Sequence, residues 1–150
     1  VGQMHGIDDL LLGERARLLL NELSLDDAAD DFVTNYSLGM KKKMGLALAL
    51  IHDPEVLILD EPTTGLDPLA MRQVQSLLQN YAGSGRTVLL STHLLEMAER
   101  HCDRIAIVHR GRLVAEGRPA ELLEQRRTAG ATLEEVFLAL TAQRDAGASQ

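Results

Sequence analysis

A chain of 150 residues, 45% hydrophobic and 25% charged, is long enough for one domain with a modest core and too apolar for a disordered segment. A net charge of −7 argues against broad nucleic-acid affinity, which needs a basic face to displace counterions. The single cysteine, Cys102, excludes an internal disulfide and a CxxC metal site.

Residues 7 to 23 place Ile7, Leu10, Leu11, Leu18, Leu19 and Leu23 at helical spacing, which predicts an amphipathic helix. Asp26, Asp27, Asp30 and Asp31 follow and read as the solvated face of a short helix rather than a metal site. Ser37 is placed to cap a helix over 38–52, and Asp53-Pro54 ends it. Val56-Leu57-Ile58-Leu59 is apolar throughout, the pattern of a strand buried on both faces of a parallel sheet. Asp67 and Pro68 open a further helix that ends near Gly83-Ser84-Gly85. A second buried strand follows at Thr87–Leu90, then a helix from Leu94 to His101, then a third strand at Ile105–Val108. Arg110-Gly111-Arg112 predicts a hairpin turn into Leu113-Val114-Ala115. Pro119 opens a helix, and Thr132 with Glu135 forms a capping-box pattern for the last one. Residues 143–150 read as a frayed tail. The longest apolar runs, Leu46–Ile51 and Val56–Leu59, fall short of the ~20 residues that span a bilayer, so no direct membrane insertion is expected. No signal-peptide pattern opens the chain, and a reduced, cytosolic setting is expected.

Strands alternating with helices predict an α/β fold with a mainly parallel sheet, in which ligands bind beyond the carboxyl ends of the strands. The first strand ends there in Asp60-Glu61. Neighbouring strand residues point in opposite directions, so one carboxylate can hold a hydrated Mg²⁺ while the other orients a water. A polar strand end that only caps the next turn is the alternative. The second strand ends in Ser91-Thr92-His93, where a histidine can donate to a phosphate oxygen; His5, His52, His101 and His109 carry no such placement. Tyr36-Ser37-Leu38-Gly39-Met40 lies at a predicted helix start, a natural anion site. Lys41, Lys42 and Lys43 sit in that helix's first turns, where cations oppose the dipole. They mark either a phosphate-binding helix start or three solvated lysines, and both readings stand.

The stretch from Tyr36 to Pro68, YSLGMKKKMGLALALIHDPEVLILDEPTTGLDP, resembles ATP-binding-cassette (ABC) ATPases from the signature motif through Walker B to the D-loop, and Ser91-Thr92-His93 resembles their switch-histidine loop. The likeness runs over essentially residues 1 to 141. Its tail, GRLVAEG at 111–117 and TLEEVFLALT at 132–141, is similar to subunits of ABC-2-type drug and antibiotic exporters. The resemblance implies a partial P-loop NTPase-type parallel sheet flanked by helices. Residues 1–52 would then be part of the helical subdomain, 53–117 the core portion, 118–142 the C-terminal helices and 143–150 a tail. It implies ATP and Mg²⁺ as ligands, with Asp60 supporting the metal, Glu61 polarising the attacking water and His93 near the γ-phosphate. Ser37 and Gly39 would bind nucleotide, although Leu38 and Met40 stand where the signature usually has glycine and glutamine. Asp67, in the D-loop Gly65-Leu66-Asp67, would face a partner subunit. The implied partners are a second ATPase subunit packed head to tail and a transmembrane permease, on the cytoplasmic face of the cell membrane.

The phosphate loop G-x-x-x-x-G-K-[ST] does not occur, since no glycine here precedes a lysine, and no Q-loop context is found. The chain is therefore expected to be a C-terminal portion that hydrolyses no ATP alone. Two alternatives remain: an ABC-type ATPase of DNA repair or ribosome association, and a degenerate regulatory module.

Overall fold

The computed structural model describes the backbone of residues 1–124 and 132–147, and side chains through residue 142. The chain divides into two compact units, Val1–Ser91 and Thr92–Gln150.

In the first unit, helix α1 (Asp9–Glu22) starts at Asp8, whose carboxylate accepts from Leu10 N–H at 2.9 Å. Its amphipathic face differs from expectation. Leu10, Leu11 and Leu18 are exposed, whereas Leu12, Ala16, Leu19 and Leu20 are half-buried and lead to buried Leu23. The spacing i, i+4, i+7, i+8, i+11 defines this second stripe, and the six leucines of α1 offered two faces to choose from. Asp26–Ala28 forms a short 3₁₀ turn with exposed aspartates. Tyr36, buried, donates its hydroxyl to Ala28 carbonyl at 2.6 Å.

Helix α2 (Leu38–Leu50) is capped by Ser37, whose Oγ accepts from Met40 N–H at 3.2 Å. It buries Lys43, Leu46, Ala47 and Leu50, one face at i, i+3, i+4, i+7. Asp53, at φ +52°, and Pro54 turn the chain into β1 (Val56–Asp60). Helix α3 (Pro68–Gly83), capped by Asp67, buries Ala70, Val74 and Leu78 and crosses over to β2 (Thr87–Ser91). Strands β1 and β2 pair in parallel, from Val56 opposite Thr87 to Asp60 opposite Ser91. The expected burial of both sheet faces is not found. Leu57 is buried, but Val56, Ile58 and Leu89 are 56%, 71% and 60% exposed. Side-chain alternation gives only one face of this two-stranded sheet to the core of Leu23, Leu46, Leu50, Leu57 and Val74.

In the second unit, α4 (Leu95–His101) precedes β3 (Ile105–His109) and β4 (Arg112–Gly117). The third strand pairs antiparallel with β4, the pairing that the hairpin turn at 110–112 predicts. Arg110 and Gly111, at φ +49° and +74°, make the two-residue turn whose twist suits a hairpin. Helices α5 (Pro119–Glu124) and α6 (Leu133–Gly147) close a core of Ala98, Ile105, Ile107, Leu122, Leu133 and Val136. The capping box forms reciprocally, Thr132 N–H to Glu135 Oε2 and Glu135 N–H to Thr132 Oγ1, each at 3.4 Å. Helix α6 continues to Gly147, so the expected tail is helical over 143–147, and residues 148–150 lie outside the described residues. The molecule is thus α/β, with a parallel sheet and flanking helices.

Candidate active site

The carboxyl end of β1 is where chemistry-bearing groups collect. Asp60 and Glu61 leave the strand there, and β2 brings Ser91 into register with Asp60. Ser91 Oγ donates to Asp60 Oδ1 and accepts from Glu61 N–H at 3.2 Å. Glu61 N–H is shared with Ser91 carbonyl at the same distance. One serine therefore fixes the Asp60 carboxylate and the backbone of the next residue together.

Glu61 itself sits at φ +46°, in the left-handed region. Thr64 Oγ1 donates to Glu61 Oε2 at 2.7 Å, which orients the carboxylate, and Thr64 N–H returns to Glu61 carbonyl at 3.4 Å. Lys42, half-buried on α2, donates from Nζ to Glu61 carbonyl at 3.3 Å and to Thr64 carbonyl.

The three lysines resolve into distinct roles. Lys43 is buried and donates to Leu23 carbonyl at 2.5 Å, and Lys42 binds the turn just described, while Lys41 is exposed. The reading of three solvated lysines does not hold, since two of them satisfy backbone carbonyls. Ser37 caps α2 through its oxygen lone pair, which leaves its O–H proton as a donor, and a helix start presents N–H groups without intrahelical partners. The D-loop packs on this helix start. A Cβ at Gly39 would meet Leu66 at 3.5 Å, and one at Gly65, where φ is +77°, would meet Leu38 at 3.8 Å. Asp67 Oδ1 accepts from Leu69 and Ala70 N–H at 2.9 and 3.0 Å. The Ala70 amide, before all else, holds its carboxyl below the ordinary aspartate value. His93, exposed, belongs to the second unit and follows β2 by two residues.

The donor set fits Mg²⁺. Asp60 carboxylate and Ser91 hydroxyl are exposed hard oxygens, and Mg²⁺ takes one or two carboxylates and fills its shell with water and phosphate oxygens. Among the described residues no cluster of three or more His, Cys, Asp or Glu is placed to cage a metal. Lys42, Thr64 and Ser91 are the site residues that sequence reasoning left without a role. Thr64 carries a local signal, three residues after Glu61 in a turn. Ser91 and Lys42 act across 30 and 19 residues and depend on register and packing.

A family model described as "AAA domain, putative AbiEii toxin, Type IV TA system" matches residues 8–97, 90 of the 150. The Nod factor export ATP-binding protein I of Cupriavidus metallidurans is 42% identical over 123 residues, covering 82% of this chain and 41% of that protein. The protein of that name from Rhizobium johnstonii is 49% identical over 107 residues, covering 71% of this chain and 34% of its own length. The one from Burkholderia lata is 47% identical over 123 residues, covering 82% and 40%. This chain thus spans between a third and about two-fifths of these curated relatives. A solved structure titled "Structure of ATP binding subunit of ABC transporter" superposes with a TM-score of 0.85 at 35% identity, over 93% of this chain and 58% of that one. With its parallel sheet, its strand-end carboxylates and its Ser-capped helix, this chain belongs to the family of ABC-transporter ATP-binding proteins, among the AAA-type domains.

Proposed function

We propose that this chain is the C-terminal portion of the nucleotide-binding subunit of an ABC exporter, and that it carries the hydrolytic carboxylate of one ATP site and the signature helix that binds the ATP held by a second subunit. The observation that carries the reading is the Asp60–Glu61 pair at the end of β1, held by Ser91 and Thr64 beside a Ser-capped helix. Asp60 supports Mg²⁺, which neutralises charge on the phosphates when bound with ATP. Glu61 accepts the proton of the attacking water and orients it in line. Ser37 O–H and the amide of Gly39 donate to phosphate oxygens, and His93 donates to the γ-phosphate. Asp67, capping α3, holds the D-loop that faces the partner subunit. The phosphate loop comes from polypeptide outside these 150 residues, so residues 1–150 alone hydrolyse no ATP.

Export as the process follows the names of the relatives, each an export ATP-binding protein. No helix among the described residues is long and apolar enough to cross a membrane. The role that the relatives' names give them is the support for a subunit that sits on the cytoplasmic face through a permease and pairs with a second ATPase subunit.

The test is Glu61→Gln in the complete subunit. The amide keeps the size of the side chain and cannot take the proton, so turnover falls by roughly 10²–10⁴-fold while ATP is still bound. Near-normal turnover would remove Glu61 from the catalytic role.

A further inference from the structure

The turn that bears Glu61 is held at both ends by one ammonium group. Lys42 Nζ donates to Glu61 carbonyl at 3.3 Å and to Thr64 carbonyl, the first and last residues of the turn. Within it, Thr64 Oγ1 orients Glu61 Oε2 at 2.7 Å. Glu61 is at φ +46°, a conformation a glutamate keeps only where its surroundings hold it. A lysine has three donors and is charged, so it can serve two carbonyls with charge-assisted bonds; an uncharged side chain of that length cannot. Lys42 lies on α2 five residues after Ser37, and α2 is itself anchored through buried Leu46, Ala47 and Leu50. The staple therefore joins the turn of the reacting carboxylate to the helix whose start is the phosphate-binding signature.

We infer that Lys42 is a positioning residue for hydrolysis: it fixes the left-handed turn that aims Glu61 and ties that turn to the signature helix in the same chain. The inference rests on the reading of Glu61 as the catalytic carboxylate. Lys42 acts through the carbonyls of Glu61 and Thr64. Without it the turn relaxes and the carboxylate loses its aim. The chemical step slows while ATP binding, made by other groups, is kept.

Two measurements test this with Lys42→Met, which keeps the aliphatic stem, and Lys42→Arg, which restores a charged fork. In the 150-residue chain, the backbone carbonyl ¹³C resonances of Glu61 and Thr64 shift in the methionine variant and return in the arginine variant. In the complete subunit, Lys42→Met lowers kcat about 10–100-fold, as a misplaced catalytic group does, with KM for ATP unchanged, and Lys42→Arg restores most of the rate. Should the methionine variant fail to fold, Lys42→Gln, polar but too short to span both carbonyls, gives the same kcat loss. Glu61→Gln run alongside separates the two ways of failing. If Glu61→Gln is inactive and Lys42→Met turns over normally, the inference falls and the functional reading stands. A loss of binding instead of kcat, or carbonyl shifts without any loss of kcat, reduces Lys42 to a structural contact and also overturns it. If Glu61→Gln stays active, the functional reading falls and the inference goes with it.

Discussion

At the scale of residues, the α2–β1 turn is fastened by one ion pair whose pH dependence has a defined sign. Arg86 Nε and Nη2 reach Asp53 at 3.2 and 2.5 Å, and Tyr81 donates its hydroxyl to Asp53 at 3.3 Å and to Pro54 carbonyl at 2.5 Å. The hydrogen bond from Arg86 is the main reason that the Asp53 carboxyl is held below the ordinary 3.8. A depressed carboxylate binds fewer protons folded than unfolded, so its contribution is present above the ordinary value and is lost as pH falls through the lower folded one. Both side chains are about a third exposed, so solvent screening keeps the contribution of the pair small. Urea unfolding between pH 2 and 6 should therefore show wild type losing stability below pH ~4 more steeply than Asp53→Asn. Equal slopes would mean that the pair carries no proton linkage.

Among the elements, what was legible in the sequence and what was not divides by range. Caps and turns are local: Ser37, Asp67 and the Thr132–Glu135 box each meet amides within three residues, and Arg110-Gly111 supplies its own left-handed turn. Faces and pairings are not local. The six leucines of α1 satisfy two helical stripes, and only packing against α2 selects the one running to Leu23. The apolar run Val56–Leu59 reads as buried on both faces, yet Val56 and Ile58 on one face of the strand are exposed. At the site, the carboxylates were legible because charge directly after a strand is rare, while Lys42 and Ser91 reach residues that only the fold brings near. Lys43 illustrates the cost of such a contact. It is 8% exposed, and its ammonium satisfies the carbonyl of fully buried Leu23 at the end of α1. Lys43→Met leaves that carbonyl without its donor and should destabilise the chain by about 1–3 kcal/mol in denaturant unfolding. An unchanged midpoint would show that the carbonyl finds another partner.

For the molecule as a whole, the central claim is that this chain supplies parts of two ATP sites, one through Glu61 and the other through Ser37 and Gly39. Ser37 caps a helix whose first N–H groups lack intrahelical partners. The dipole at such a start is worth about 0.3–1 kcal/mol, and a charge-assisted bond from Ser37 adds roughly 1.5–3 kcal/mol. Together these favour a closed dimer around nucleotide without making closure permanent. Ser37→Arg in the complete subunit should spare ATP binding by the single subunit and block dimer closure and hydrolysis. The direct test mixes that variant with one lacking the phosphate-loop lysine, each inactive alone. A mixed dimer gathers both defects in one composite site and leaves the other intact, so ATPase activity should recover on mixing. A mixture as inactive as either variant alone, with mixed dimers demonstrated by native mass spectrometry, would contradict the account.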